Sequence, residues 1–273
     1  VDVEEEGLFC GRYSRQPAGV RNVGALDRLE FVTREFGLPL TLLATHAVLA
    51  DAAGAARLQD WRDRRGAELG VHLHHWNTPP LAATEPVSPD AAQVPPALLR
   101  EKLATLCRAF ESVAGAPPRV FRMGRFDLAP PLPEWLAAAG FAVDSSVVPL
   151  NVPSAAANHF MAGADPFRLP AGILEAPLTV VSPWPGMSRG IYRCAGGGRT
   201  AAGRALLRAW RHVGAVGIQP AWYGPAALRR AARLHRERGG TVLNLFLHSS
   251  ELQPGATPRY PDEAAVGRLL GRL

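Results

Sequence analysis

Short apolar runs alternate with amphipathic stretches along most of this 273-residue chain, and that alternation restricts the fold more than any other feature. Residues 38–45, 68–74, 120–122, 141–145, 174–181 and 241–248 are apolar and short enough to be buried strands. Between them, residues 23–36, 47–65, 96–114, 132–139, 203–212 and 225–238 read as helices. In residues 96–114, Leu99, Leu103, Leu106, Phe110 and Val113 share one face, and Pro117-Pro118 stops the helix. Repetition of strand and helix builds a largely parallel sheet. With a strand end at Val1 the strands number about seven, which predicts an α/β fold, a closed or nearly closed β/α barrel, with a doubly wound open sheet as runner-up. Residues 150–172 and 182–200, rich in Pro, Gly and Ala, are expected to be long loops flanking strand 174–181.

A chain that is 47% hydrophobic and 273 residues long can bury one sizeable core, so a single domain over residues 1–273 is expected. Val1 stands in a strand end where a Met would open a chain, so upstream residues are expected to be missing. No apolar stretch reaches the ~20 residues of a membrane span and no basic-then-apolar leader is present, which predicts a soluble protein, the cytoplasm slightly favoured over periplasm or secretion. The formal charge of +6 comes from scattered arginines, with Lys102 the one lysine, a bias that reads as high-G+C bacterial coding. No nucleic-acid-binding module accompanies it, so no nucleic-acid partner is expected. Cys10, Cys107 and Cys194 form no CxxC pair, and Ala195-Gly196-Gly197-Gly198 lacks the placement of a phosphate cradle. A Gly-x-Ser-x-Gly elbow is missing too, which argues against a serine hydrolase of the α/β kind.

In either architecture catalytic side chains gather at the carboxyl ends of strands. The first end reads Val-Asp-Val-Glu-Glu-Glu-Gly, where alternation turns Asp2 and Glu4 to one side. That pair suits a base beside a metal ligand, against the alternative of a solvated acidic turn. The third reads Val-His-Leu-His-His-Trp-Asn, and its His-x-His spacing projects His72 and His74 to one face, a geometry for zinc or a similar ion, with His75 pointing away. At the fourth, Arg122 can hold a carboxylate and keep it ionised, while Arg125 lines the site or lies in solvent. Asp144, before Ser145 and Ser146, is a supporting partner or a turn former. The last strand delivers His248, placed as a general acid or as a core histidine, followed by Ser249, Ser250 and Glu251. His46 and Trp76 are further candidates to line the site. Phe160, Phe167, Trp184, Tyr192, Trp222 and Tyr223 could stack on sugar faces or pack their own loops.

Taken together, Val-Asp-Val-Glu-Glu-Glu, Glu-Leu-Gly-Val-His-Leu-His-His-Trp-Asn-Thr-Pro-Pro, Phe-Arg-Met-Gly-Arg-Phe, Gly-Phe-Ala-Val-Asp-Ser-Ser-Val and Leu-His-Ser-Ser-Glu-Leu-Gln-Pro-Gly resemble the polysaccharide deacetylase (NodB-homology) family, in its order and over nearly the whole chain. The resemblance implies a distorted (β/α) barrel, a divalent metal, and hydrolysis of N-acetyl groups from an amino-sugar-containing carbohydrate substrate. It implies Asp2 as base, Arg122 as its orienting arginine, His248 as general acid, and Glu4 and His72 as metal ligands. The family's second histidine stands four residues after the first, where this chain has Trp76, so His74 or His75 substitutes. Zinc is the first expectation for the metal, then cobalt or nickel. The rivals are a catalytically silent glycan-binding member of the same fold and a metal-assisted hydrolase of another amide or ester.

Overall fold

The computed structural model describes residues 1–10, 13–16, 19–82 and 87–273, the side chain of Cys10 excepted. The chain divides into two compact units, Val1–Gly124 together with Leu247–Leu273, and Arg125–Phe246.

In the first unit β1 (Asp2–Val3), β2 (Thr41–Ala44), β3 (Glu68–Leu73) and β4 (Val120–Met123) pair in parallel, each with the next in sequence. A doubly wound sheet reverses its strand order at a switch point, whereas strands laid down in order follow barrel winding. Val3, Leu42, Leu43, Val71, Leu73, Phe121 and Met123 are buried along these strands. Gly70 is required by the packing, since a Cβ there would stand 2.7 Å from both Leu43 Cδ2 and the Val120 carbonyl.

Residues expected as one helix at 23–36 form a 3-10 stretch, Arg21–Leu29, followed by α1 (Glu30–Phe36). The expected helix at 47–65 is broken into α2 (His46–Ala50) and α3 (Ala52–Arg65). Asp51 causes the break: its extended backbone ends α2, and its side chain caps α3 by accepting from Gly54 N–H at 2.8 Å. The helix α4 (Pro96–Ala114) matches its expected bounds, with Pro96 at its first position and Gly115 ending it at φ 75°. Its buried face carries Leu99, Leu103, Leu106 and Phe110 and, unexpectedly, Lys102.

The second unit holds α5 (Leu132–Ala138), β5 (Val143–Asp144), β6 (Phe167–Arg168) and β7 (Leu174–Glu175), with β5 parallel and β6 antiparallel to β7. The expected strand at 174–181 is two pieces, because Pro177 has no N–H to give a ladder; β8 (Val180–Val181) pairs instead with β9 (Val216–Gly217). The expected loop at 182–200 contains α6 (Pro185–Cys194), for which Pro185 serves as a helix start. Then come α7 (Ala201–Gly214) and α8 (Pro225–Glu237).

The expected last strand at 241–248 forms no ladder. Asp165 accepts from the Thr241 and Val242 N–H groups, and Asn244 bonds Thr179 and Ala176, so these residues find their partners outside a ladder. One bridge remains, in the first unit, where His248 lies parallel to Asp2. The 3-10 turn Ser249–Leu252 and α9 (Glu263–Leu270), capped by Asp262, complete that unit. Among the described residues no helix is long and apolar enough to cross a membrane.

Candidate metal centre

Glu4, His72 and His74 converge, with one ligand atom from each lying within 4.8 Å of the others. The Glu4 Oε2 atom stands 3.8 Å from His72 Nε2 and 3.5 Å from His74 Nε2. Each imidazole is oriented through its other nitrogen: His72 Nδ1 meets the Arg122 carbonyl at 3.1 Å, and His74 Nδ1 meets Glu5 Oε1 at 2.8 Å. With both Nδ1 atoms so engaged, both Nε2 atoms are directed at Glu4, the arrangement in which outer partners fix histidine ligands on a metal. All three residues are almost wholly buried. Buried Glu4 Oε1 has no hydrogen-bond partner, although the Glu4 backbone is pinned by Ser249 Oγ at 3.1 Å and Asn22 Nδ2 at 2.9 Å. An orphaned carboxylate oxygen beside two aimed imidazoles fits a divalent cation of the zinc, cobalt or nickel kind.

Electrostatics carry the same deficit. Burial pushes the Glu4 carboxyl up to about 7, the charges of His248 and His74 offsetting it only in part. For Asp2 burial also opposes charge, but Arg122 Nη1, donating at 2.5 Å, holds the carboxyl well below the usual range. Glu5 is lowered despite its burial by His74 and by Asn77 Nδ2, which donates at 2.6 Å; Thr45 Oγ1 donates to its other oxygen at 3.1 Å. Burial drives His72 down to about 3, so that imidazole is neutral and its Nε2 lone pair available. Burial also opposes charge on His248, yet the carboxylates of Glu4 and Glu251 raise it to about 9. Glu251 Oε2 accepts from the His248 backbone N–H at 2.9 Å and approaches its Nδ1 at 3.2 Å.

No protein-family model matches the sequence, and no curated protein does. Among solved structures, a protein assigned as a polysaccharide deacetylase from Mycobacterium smegmatis aligns over 91% of this chain and 70% of its own, at 19% identity and TM-score 0.51. Puue allantoinase aligns over 99% of this chain and 81% of its own, at 15% identity and TM-score 0.53. The chain has their fold. The expected α/β class and the likeness to a polysaccharide deacetylase, read from sequence, hold at this level.

Of the remaining candidates, Trp76 is buried and stacks on the His74 ring at 4.2 Å between centroids and 27° between planes, so it braces a candidate ligand. His75 does not join the cluster: its Nε2 meets the Ser88 carbonyl at 2.8 Å, because the chain turns directly after His74. His46 opens α2, half-buried. In the second unit Arg125 is exposed at φ 59°, and Asp144 accepts from Ser146 Oγ at 2.6 Å. Among the loop aromatics, Phe160 stacks on Tyr192 and Trp222 packs on Phe246, whereas Trp184 is exposed. Glu5, Asn22, Thr45 and Asn77 were not foreseen as supports. The one signal for Glu5 was its place in the acidic run.

Proposed function

We propose that this chain is a metal-dependent amide hydrolase that removes N-acetyl groups from an amino-sugar glycan or glycoconjugate, with zinc as the first choice of ion. The observation that carries this reading is the buried Glu4–His72–His74 cluster, whose imidazoles are both turned toward a carboxylate with an unsatisfied oxygen. A cation held by these three residues would supply Lewis acidity to an amide carbonyl and to a water molecule. Asp2, kept ionised by Arg122, is the base that accepts the water's proton. His248, on the chain segment beside Asp2 and favoured in its charged form, gives a proton to the departing nitrogen. Water adds to the acyl carbon, the C–N bond breaks, and acetate and a free amine leave.

The likeness in fold to allantoinase supports a second reading, hydrolysis of a different amide with the same residues. Metal per chain should be measured in the native protein and in His74→Ala and His75→Ala, together with acetate released from N-acetylglucosamine oligomers and turnover of allantoin. Near-stoichiometric metal lost in His74→Ala alone, with acetate released, is the expected result. No metal after reconstitution sinks the proposal in favour of a silent glycan-binding protein, while metal with turnover of allantoin alone moves it to the second reading.

A further inference from the structure

We infer that Lys102 is a positioning residue for the candidate metal centre, clamping the turn whose side chains hold Glu5 and, through it, the His74 ring. This rests on the metal reading above. Lys102 is the one lysine among 30 basic residues, and it is fully buried. Its Nζ donates to the Thr78 carbonyl at 2.8 Å and to the Pro80 carbonyl at 2.7 Å. Burying an ammonium against carbonyl dipoles is expensive, and a methionine of similar length would pack on that helix face without the desolvation cost. Position is what these two bonds add.

The turn it grips leads directly to the cluster. Thr78 donates twice to the His74 carbonyl, from Oγ1 at 2.7 Å and from its backbone N–H at 3.0 Å. The Asn77 side chain donates to Glu5 Oε1 at 2.6 Å, and that same oxygen meets His74 Nδ1 at 2.8 Å. Asn77 and Thr78 are both buried. The anchor is firm, because α4 is 19 residues long and packs Leu99, Leu103, Leu106 and Phe110 on the face that carries Lys102. A bond from this helix to the Thr78 and Pro80 carbonyls therefore sets where Asn77 stands. Asn77 in turn sets the Glu5 carboxylate that aims the candidate ligand. An arginine would not serve equally, since its longer side chain ends in a rigid planar fork that does not fit where the compact ammonium sits.

The test compares Lys102→Met with Leu106→Ala, a truncation on the same helix face that touches none of these bonds. Three quantities are read: melting temperature without metal, Zn2+ affinity by chelator competition, and the visible spectrum of the Co2+-loaded protein. Lys102→Met is expected to weaken Zn2+ binding at least tenfold and to alter the Co2+ bands. Leu106→Ala should lower the melting temperature while leaving affinity within twofold. In an Asn77→Ala background the effect of Lys102→Met should shrink, because both act through Glu5. If Lys102→Met does not fold, Lys102→Arg replaces it, with at least a threefold loss expected. Wild-type affinity and spectrum in the Lys102 variant overturn this inference alone, whereas a wild-type chain that takes up neither ion overturns the metal reading and this inference with it.

Discussion

Glu5→Gln separates the charge behind His74 from the geometry that carries it. In the native chain Glu5 Oε1 meets His74 Nδ1 and Asn77 Nδ2, and Oε2 accepts from Thr45 Oγ1. A glutamine can keep all three bonds: its carbonyl oxygen replaces Oε1, and its NH2 group faces Thr45 Oγ1, a hydroxyl that accepts as readily as it donates. What disappears is one buried negative charge bonded to a candidate ligand. Outer partners of metal-bound histidines contribute about 10–100-fold to affinity, or ~1.4–2.7 kcal/mol, and the dry surroundings of Glu5 place this case toward the upper end. The assay is chelator competition for Zn2+ at pH 7.5, with circular dichroism confirming an unchanged fold. Affinity within twofold of wild type would refute the reasoning, since it would mean that the bond to Nδ1 orients His74 without strengthening it as a donor.

Gly124→Ala tests the packing behind the same ring, because a Cβ would lie 2.6 Å from the Leu73 carbonyl and 2.9 Å from His74 Cδ2. It should cost about 1–3 kcal/mol in urea unfolding and weaken metal uptake, and an unchanged midpoint would contradict the crowding. Without metal, the raised groups lose their contribution as pH climbs, Glu4 between its ordinary 4.5 and about 7 and His248 between 6.5 and about 9. Burial lowers His72 to about 3 and His75 and His159 to about 4, so these oppose Glu4 up to pH 6.5, and the buried Val1 amino group, lowered to about 5 from 8.0, opposes His248 up to pH 8. The melting temperature should therefore rise from pH 5 to 6.5 and fall from pH 8 to 9.5; the opposite slope in either window would contradict these shifts. His248→Ala should abolish turnover with metal retained, while His72→Ala should lose both, as elemental analysis and a turnover assay on the same preparations would read.

How much of this was legible follows from where regular structure persists. β3 runs to Leu73, so alternation puts His72 and His74 on one side, where the structure has both beside Glu4. Alternation favoured His74 over His75 while the resemblance left either open; in the structure a turn closed by Asn77 and Thr78 on the His74 carbonyl carries the His75 ring away to Ser88. Glu5 escaped because β1 stops at Val3, after which period-two reasoning no longer says where a side chain points. Arg122 was readable from its strand end, but its bond to Asp2, 120 residues away in sequence, needed the strand order. Composition misled at 182–200, where prolines and glycines suggested a loop although Pro185 starts a helix. At 241–248 an apolar run promised a strand, and Asp165, Ala176 and Thr179 took its bonds instead.

Glu4 is fastened to a segment far from it in the sequence. Its backbone N–H reaches Ser249 Oγ, 245 positions away, and Asp2 N–H reaches the Leu247 carbonyl at 2.8 Å. Contacts of such separation form late, after the long intervening loop has closed. During synthesis Glu4 and the two histidines thus emerge within 71 positions of one another, while the turn that fixes Glu4 and the histidine beside Asp2 follow only at residues 247–251. A nascent chain therefore carries the three candidate ligands well before the segment that fixes Glu4 and sets His248 beside Asp2 has been made.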